Sequence, residues 1–251
     1  MRYSGSKKRI IKYILPIITE HLDKDTTFID AFGGGMNVVS EIDHNRKIAV
    51  ELNKYVCTLW NTIKQNTAKG MKTCEYIPME MTQDKYLEIK EDYLNDSKHF
   101  PEYITGYTAT ALSYGGAWFN GYAKYNPKKN EDHILEAFNG ITKQVLNFKE
   151  LDNTEFVNAS YDEIKLPEKA VIYCDPPYQN TKGYENKNFN HDKFWQWCRD
   201  RHKQGYKIYV SEYNAPDDFK CVWQMVKKDG MGTTKQGNKQ KIKIEKLFTP
   251  K

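Results

Sequence analysis

The chain has 251 residues and a formal net charge of +5, which suits one large α/β domain or a core domain carrying an insertion. No stretch approaches the roughly 20 apolar residues that span a bilayer, and the basic N-terminal segment lacks the pattern of a secretory signal, so we expect no membrane association. The five cysteines are scattered and lack CxxC spacing, which argues against a disulfide framework or a zinc site and favours a cytoplasmic protein without metal.

The first part of the chain has the order of a nucleotide-binding unit. Residues 26–30 form a β-rich run, residues 31–35 a glycine turn, and residues 37–41 are predicted to begin a helix. Residues 47–51 form a second strand that, like the first, ends in an acid. In Rossmann-like folds the glycines let the backbone approach a ligand, and the acid after the second strand, here Glu51, accepts hydrogen bonds from ribose hydroxyls. The turn matches neither the GxGxxG motif nor a Walker loop, so neither a dinucleotide nor a nucleoside triphosphate is the first choice of ligand. A glycine turn with a purely structural role remains the alternative.

A long helical insertion is predicted between the second and third strands. Helical patterns occur at residues 83–96, 101–113 and 131–148. The loop at residues 113–126 is rich in glycine, aromatics, asparagine and lysine, which is typical of a nucleic-acid contact surface. The alternative is a helical lid that packs its own aromatics. The candidate DNA contacts in this loop are Trp118, Asn120, Tyr122, Lys124 and Asn126.

The second half of the chain resumes the alternation of strands and helices. Strands are predicted at residues 155–158, 170–174 and 207–211. An amphipathic helix is predicted at residues 191–204, with Phe194, Trp195 and Cys198 facing inward. In residues 221–226 and 241–248 apolar and polar side chains alternate, and a loop rich in glycine and lysine lies between the two runs. This pattern predicts an antiparallel hairpin with a basic tip at residues 230–240.

Positive charge is concentrated at the two ends of the chain. Residues 227–251 hold eight lysines against two acids, and the first twelve residues hold five basic residues and no acid, so the rest of the chain is net negative. Such ends suit a protein that grips a polyanion along one face, although solvated ends without a partner remain the alternative. The candidate DNA contacts at the ends are Arg2, Lys235, Lys239 and Lys241.

The most informative feature is the run Asp175, Pro176, Pro177 and Tyr178, directly behind the apolar strand at residues 170–174. Ligands of open α/β sheets bind at strand ends. The first proline restrains Asp175 to an extended conformation, so its carboxylate and the Pro176 carbonyl offer two adjacent acceptors. An exocyclic amino group of a nucleobase has two matching donors, and Tyr178 offers a face for stacking. The run therefore predicts a site for an amine on an aromatic heterocycle, with a proline-rich turn of structural use as the alternative.

These features together resemble the DNA adenine-N6 methyltransferase family of bacteria and phages, of the Dam-like type with a DPPY motif. The resemblance runs over most of the chain, from Tyr3 and Lys7 through the glycine turn and Glu51 to the DPPY run and the basic hairpin. It implies a Rossmann-like α/β sheet that uses S-adenosylmethionine, with an antiparallel C-terminal hairpin and a helical insertion. The residues that it places around S-adenosylmethionine are Tyr3, Lys7, Asp30, Phe32, Gly33, Gly34, Gly35, Glu51 and Asp175.

The resemblance also implies an activity and a division of the chain. We expect methyl transfer to adenine N6 in double-stranded DNA by base flipping, with residues 1–66 and 153–251 as the catalytic domain and residues 67–152 as the target-recognition insertion. N4-cytosine or RNA-adenine methylation, or an inactive DNA-binding relative, remain alternatives. We expect a monomer or weak dimer in a bacterial or phage-infected cell.

The sequence departs from the family pattern in two places. Met36 stands where the pattern Phe-x-Gly-x-Gly has its last glycine, and Tyr122 and Lys124 stand where GATC-specific members have Leu and Arg. Lysine does not replace arginine at a bidentate base contact, so we do not assume the target GATC.

Overall fold

The computed structural model describes residues 1–128, 130–179, 189–228 and 242–251, and has a mixed α/β fold. The strands are β1 (Thr27–Asp30), β2 (Lys47–Val50), β3 (Thr154–Val157), β4 (Ala170–Cys174), β5 (Lys207–Glu212), β6 (Phe219–Lys228) and β7 (Ile242–Pro250). The α-helices are α1 (Ile11–Ile18), α2 (Lys54–Ala68), α3 (Gln83–Leu94), α4 (Glu102–Thr110), α5 (His133–Leu146) and α6 (His191–Lys203). The predicted fold class is confirmed.

The strands form one sheet in the order β3-β2-β1-β4-β5-β7-β6. The first five strands in this order pair in parallel, while β7 is antiparallel to both β5 and β6. All residues of β1 and β4 are buried, as expected for central strands covered on both faces. Chain order reverses between β1 and β4, and this reversal creates the crevice in which open α/β sheets bind ligands.

The predicted strands and the predicted antiparallel hairpin are confirmed, with bounds that shift by at most two residues. The helices of the insertion are also confirmed, in somewhat shorter form, as α3, α4 and α5. Helix α6 buries Phe194, Trp195 and Cys198 as expected. The predicted hairpin tip, which includes Lys235, Lys239 and Lys241, lies outside the described residues.

The helix predicted to begin at residues 37–41 is wrong, because this segment forms turns and one 3₁₀ turn, Val39–Glu41. Only a few residues separate the glycine loop from β2, and a first helical turn is costly to form. Met36 O accepts from the Ser40 N–H at 3.2 Å, as in a helix, but Val39 O accepts from Lys47 Nζ at 3.3 Å and Ser40 O from the Lys149 N–H at 3.1 Å, so the helix does not continue.

Helix α2, which follows β2, was not predicted from the sequence. The Asn53 side chain caps its start by accepting from the N–H groups of Tyr55 and Val56, at 3.0 and 3.3 Å. Its buried residues recur at helical spacing: Val56, Cys57, Leu59, Trp60 and Ile63. Both signals are visible in the sequence.

The insertion shares a hydrophobic cluster with the sheet. Phe138, Ile141 and Val145 of α5 lie in the same cluster as Ala49 of β2 and Phe156 of β3. The same cluster includes Val56, Trp60 and Ile63 of α2. The sheet and the insertion are therefore packed together through α2 and α5.

Within the described ranges, none of the helices has the length and apolar character needed to cross a bilayer. The described part of the chain also contains no group of three or more His, Cys, Asp or Glu side chains arranged to hold a metal ion.

Candidate active site

The acids at the ends of three neighbouring strands converge at the crevice between β1 and β4. Asp30 is the last residue of β1, Glu51 follows β2 and Asp175 follows β4. Parallel strands place their carboxyl ends on one edge of the sheet. The sheet thus gathers three of the predicted site residues, as expected.

The glycine turn after β1 forms a tight loop against β2. The Gly33 N–H donates to Val50 O at 2.7 Å, and the Met36 N–H donates back to Gly33 O at 2.7 Å. Gly34 and Met36 have φ values of 50° and 55°, in the left-handed region that favours glycine. Met36 therefore adopts the backbone conformation of the glycine that it replaces in the family pattern, and its side chain is fully buried.

Glu51 fixes this loop through backbone hydrogen bonds. Its carboxylate accepts from the N–H of Gly34 at 2.6 Å and from the N–H of Asn53 at 2.7 Å. The Asn158 side chain holds the next peptide groups, donating to the carbonyls of Glu51 and Leu52 at 2.8 and 2.9 Å. The acid after the second strand is thus held at the crevice, oriented by the loop that it binds.

Tyr3 fills the space beside the glycine loop. A Cβ on Gly34 would lie 2.8 Å from Tyr3 Cε1, and a Cβ on Gly35 would lie 2.6 Å from Tyr3 Cβ. On the other side, a Cβ on Gly116 would lie 2.6 Å from the Tyr3 backbone, and the Ser4 N–H donates to Gly116 O at 3.0 Å. Tyr3 is therefore clamped between the loop and the insertion, and these glycines make room for it.

Gln144 of α5 also ties the insertion to the glycine loop, although no sequence pattern singles it out. Its Nε2 donates to Gly35 O at 3.0 Å and to Met36 O at 3.1 Å. Its Oε1 accepts from the N-terminal amine of Met1. The loop thus depends on the insertion for part of its hydrogen bonding.

The tetrapeptide after β4 is built around a nearly buried ion pair. Lys7 Nζ lies 2.8 Å from Asp175 Oδ1, and the two side chains are only 6% and 19% exposed. Lys7 Nζ also donates to Gly5 O at 3.1 Å and lies 4.6 Å from the centroid of the Tyr178 ring. The Asp175 carboxylate faces Lys7, so the structure brings together two of the residues that the family resemblance places around one ligand.

Two further acids, Glu212 and Glu245, lie beside the tetrapeptide and were not predicted. Glu212 ends β5 and accepts from the N–H groups of Gln179 at 2.9 Å and Tyr213 at 2.6 Å. Glu245 on β7 accepts from the Tyr178 hydroxyl at 2.8 Å. Both had a signal in the sequence: β5, like β1 and β2, closes on an acid, and Glu245 shares the strand face of the buried Leu247.

The crowding of carboxylates at this edge shifts their titration upward. Burial, then the charge of Asp175, raises the pKa of Asp30 to about 7. Burial also raises the pKa of Glu212 to about 7 and raises the pKa of Asp175, in the latter case against the opposing charge of Lys7. Burial, then the nearby Asp175, holds the pKa of Tyr178 well above its usual range, so its hydroxyl stays protonated and donates. Burial is the largest cause of each of these shifts.

Comparison with known proteins identifies the group to which this architecture belongs. The sequence model of the family described as D12 class N6 adenine-specific DNA methyltransferase matches residues 3–228. The chain belongs to this family. The match starts at Tyr3 and covers the glycine loop, the insertion and the DPPY run.

Several curated proteins are similar to parts of the chain. The type II methyltransferase M.FokI of Planomicrobium okeanokoites is 25% identical over 207 residues, which cover 78% of this chain and 31% of that protein. The modification methylase LlaI of Lactococcus lactis subsp. lactis is 28% identical over 198 residues, covering 74% of this chain and 30% of that protein. The DNA adenine methylase of Escherichia coli K12 is 23% identical over 189 residues, covering 71% of this chain and 64% of that protein. The match thus spans about a third of the two modification methylases.

Phe32, another residue implied by the family resemblance, lies in an aromatic group at the crevice. Its half-buried ring stacks on Tyr161 at 5.3 Å and meets Phe194 edge-on at 5.7 Å. Tyr161 also meets Trp197 edge-on at 5.2 Å. This group supplies an apolar wall next to the acids of β1 and β2.

The residues expected to contact DNA in the family's insertion fall into two sets. The Trp118 ring packs against Tyr55 at 5.9 Å, and the Tyr122 hydroxyl donates to Met81 O while its ring lies 5.5 Å from Tyr86. These two aromatics pack within the protein, as the helical-lid alternative expects.

The other set is polar and more accessible. Asn120 and Lys124 are exposed. Asn126 pairs with Glu131, and Arg2 forms an ion pair with Glu136 at 3.2 Å on the surface of α5. Contact of these residues with DNA stays a prediction.

Proposed function

We propose that this protein transfers a methyl group from S-adenosylmethionine to N6 of adenine in double-stranded DNA. The observation that carries the proposal is the DPPY run at the end of β4, with Asp175 paired to Lys7 beside the crevice between β1 and β4. Membership of a family described as N6 adenine-specific DNA methyltransferases supports the same reaction.

The charge of the crevice fits a cationic ligand. Asp30, Glu51, Asp175 and Glu212 are all buried or nearly so at this edge. Among the described residues that we assign to the site, Lys7 is the cation that faces these carboxylates. When bound, S-adenosylmethionine supplies a methyl group attached to a positively charged sulfur, and the sulfur keeps the electron pair of the carbon–sulfur bond when the methyl group is transferred. A cationic ligand would offset the burial and the repulsion by Asp175 that together raise the pKa of Asp30.

The same residues give each part of that ligand a partner. We propose that Glu51 accepts hydrogen bonds from its ribose hydroxyls, in the manner of acids after the second strand of Rossmann-like sheets. The glycine loop and Tyr3 would line its path, and the aromatic group around Phe32 would contact its adenine. Asp30 and Asp175 would face its positive charges.

The acceptors of the DPPY run prepare the target amine. The lone pair of adenine N6 is delocalised into the ring, which makes the amine a poor nucleophile. Accepting its two hydrogens at Asp175 and at the Pro176 carbonyl would turn the lone pair toward the methyl group, so positioning and preorganised electrostatics lower the barrier. The nitrogen forms the new bond to carbon and then loses one proton, which Asp175 is placed to accept. The enzyme cannot reach the amine while the adenine is stacked inside the double helix, so the base must flip out. Tyr178 would then stack on the flipped adenine.

We further propose that residues 67–152 recognise the target sequence and that residues 1–66 and 153–251 carry the chemistry. The exposed Asn120 and Lys124, together with Asn126 and Arg2, are the candidate contacts near the insertion. Lys235, Lys239 and Lys241 are candidate phosphate contacts from the sequence alone. The protein would act on DNA as a monomer or weak dimer, in the cytoplasm of a bacterial or phage-infected cell.

The test is methyl transfer into unmethylated genomic DNA. The purified protein is incubated with S-adenosylmethionine, the products are analysed by nucleoside mass spectrometry, and modified positions are mapped by sequencing. We expect N6-methyladenine within one short sequence. N4-methylcytosine alone would replace the adenine assignment, methylation of RNA alone would replace the DNA assignment, and no modified base on either would refute the enzyme assignment.

A further inference from the structure

Glu245 is a buried carboxylate that contacts the DPPY run from β7, which lies two strands from β4 in the sheet. It lies on β7 of the C-terminal hairpin, is 2% exposed, and accepts from the Tyr178 hydroxyl at 2.8 Å. A buried carboxylate is costly unless hydrogen bonds compensate it. Glu245 lies opposite Met225 in the antiparallel pair of β6 and β7, and the hydrogen bond from Tyr178 compensates part of the cost of its burial.

Within the described part of the chain, residues of three different segments contact Tyr178. Lys7 of the N-terminal segment lies 4.6 Å from the ring centroid. Tyr213, directly after β5, meets the ring edge-on at 4.7 Å and 89°. Glu245 of β7 binds the hydroxyl. The first two contacts restrict where the ring lies, while the hydrogen bond is directional and sets how the ring is turned.

The orientation of this ring matters for the proposed reaction, because stacking fixes the plane of the flipped base. A base whose plane is tilted presents its amino group to Asp175 and to the Pro176 carbonyl at the wrong angle. Misplacement on the scale of 1 Å costs about a hundredfold in rate. A residue that holds the ring therefore acts on the rate without touching the reacting atoms.

We propose that Glu245 is a positioning residue for methyl transfer, which fixes the Tyr178 ring in the orientation that receives the flipped adenine. This inference rests on the proposed function and adds to it a member of the site that belongs to the hairpin. It also gives the hairpin a part in catalysis that is separate from any grip on the DNA backbone.

A double-mutant cycle tests this role in single-turnover methyl transfer. The variants are Tyr178→Phe, Glu245→Ala, their combination, and Glu245→Gln, whose amide oxygen can still accept from the hydroxyl. We expect Tyr178→Phe and Glu245→Ala each to slow transfer by about tenfold to a hundredfold, the range for a hydrogen bond to a charged group. The combination should be no slower than the slower single variant, and Glu245→Gln should recover most of the rate.

Two accompanying measurements separate positioning from a general loss of structure. Equilibrium binding of S-adenosylmethionine should stay within about threefold of wild type in every variant, well below the effect expected on the rate. A 2-aminopurine placed at the methylated position should show altered fluorescence in the flipped state of Tyr178→Phe and Glu245→Ala, and a wild-type signal in Glu245→Gln. A merely structural glutamate would not produce this pattern.

The outcomes are distinct. Full activity of Tyr178→Phe, or additive losses in the cycle, would overturn the role of Glu245 while leaving the proposed function intact. If Glu245→Ala does not fold, the other two single variants still test the role of Glu245. Tyr178→Phe removes the hydrogen bond and Glu245→Gln keeps it, and neither leaves a cavity. A wild-type protein that transfers no methyl group would overturn both proposals.

Discussion

Asp30 titrates near neutrality because it is buried beside other acids. Burial, then Asp175 and Glu51, raises the pKa of Asp30 to about 7, so below this pH the free protein holds a proton there. A cationic ligand favours the ionised form. Between pH 6 and about pH 7 the affinity for S-adenosylmethionine should therefore rise, by up to about tenfold per pH unit, as Asp30 loses its proton. Between about pH 7 and pH 8 it should level off.

Calorimetric titration at constant ionic strength measures this profile. Asp30→Asn should flatten it, because the amide does not titrate. The same carboxyl should also affect the stability of the free protein, because its pKa in the unfolded chain, about 3.9, lies below its pKa in the folded protein. The free energy of unfolding should therefore be highest below about pH 4 and fall as the pH rises toward 7. A profile unchanged in Asp30→Asn would assign the titration to Glu212, whose pKa is also raised to about 7.

Asp175 combines two contributions, an acceptor for the amine and a partner for Lys7. Asp175→Ala should reduce turnover by a factor of ~10²–10³, the usual cost of one preorganised partner. It also leaves the Lys7 ammonium, 2.8 Å from the missing carboxylate, without that charge in a buried position. Tritiated methyl incorporation gives the rate, and thermal unfolding gives the stability.

Asp175→Asn is the matched control because it keeps an oxygen acceptor and the shape of the side chain. Like Asp175→Ala it removes the charge that balances Lys7, so the two variants should unfold at similar temperatures, but Asp175→Asn should turn over faster because its amide oxygen can still accept from the amine. A rate for Asp175→Ala above about a tenth of wild type would mean that the carboxylate serves the fold and not the reaction.

At the scale of elements, Tyr3 is the joint between the glycine loop and the insertion, and two adjacent glycines allow a matched test. Gly115 and Gly116 have φ values of 67° and 69°, so alanine at either should cost roughly 1–2 kcal/mol of backbone strain. A Cβ at Gly115 meets nothing within 4 Å, whereas a Cβ at Gly116 lies 2.6 Å from the Tyr3 backbone.

Gly116→Ala should therefore be less stable than Gly115→Ala by a further 1–3 kcal/mol or so, the usual cost of overpacking. It should also weaken binding of S-adenosylmethionine, because Tyr3 packs on Gly34 and Gly35. Denaturant unfolding and ligand titration measure both effects. Equal behaviour of the two variants would show that the insertion and the cofactor loop are not coupled through Tyr3.

At the scale of the whole molecule, the ends of the chain are basic and its body is acidic. The last 25 residues hold eight of the lysines, including Lys235, Lys239 and Lys241, which lie outside the described residues. Replacing these three with alanine should weaken DNA binding on all sequences alike and reduce the slope of log affinity against log salt by at most ~2.7. The sequence that is methylated should not change, since phosphate contacts do not read bases.

Three exposed lysines on the opposite edge of the sheet provide the control. Lys24 precedes β1, and Lys165 and Lys169 precede β4, so they lie at the amino ends of strands whose carboxyl ends form the site. Their triple alanine variant removes the same charge. Equal salt slopes for the two triple variants would show that only net charge matters, and a changed target sequence would mean that the hairpin reads bases.

Much of the architecture follows from local features of the sequence. Strands buried on both faces are continuous apolar runs, and glycine and proline mark their ends, so β1, β2 and β4, the glycine loop and the DPPY run could be assigned from residues a few positions apart. The local rules also misled at residues 37–41, where Lys47 and Lys149 donate to the carbonyls of Val39 and Ser40 and the helix does not continue.

The tertiary structure alone decided which distant residues meet. Lys7 and Asp175 are 168 positions apart, Tyr178 and Glu245 are 67 apart, and Gln144 reaches Gly35 across 109. The chain holds 33 acidic residues, and nothing local distinguishes the one that a given donor will bind. That choice is made by the order of strands in the sheet and by the packing of α5 against it, which bring their side chains within hydrogen-bonding distance only after the chain has folded.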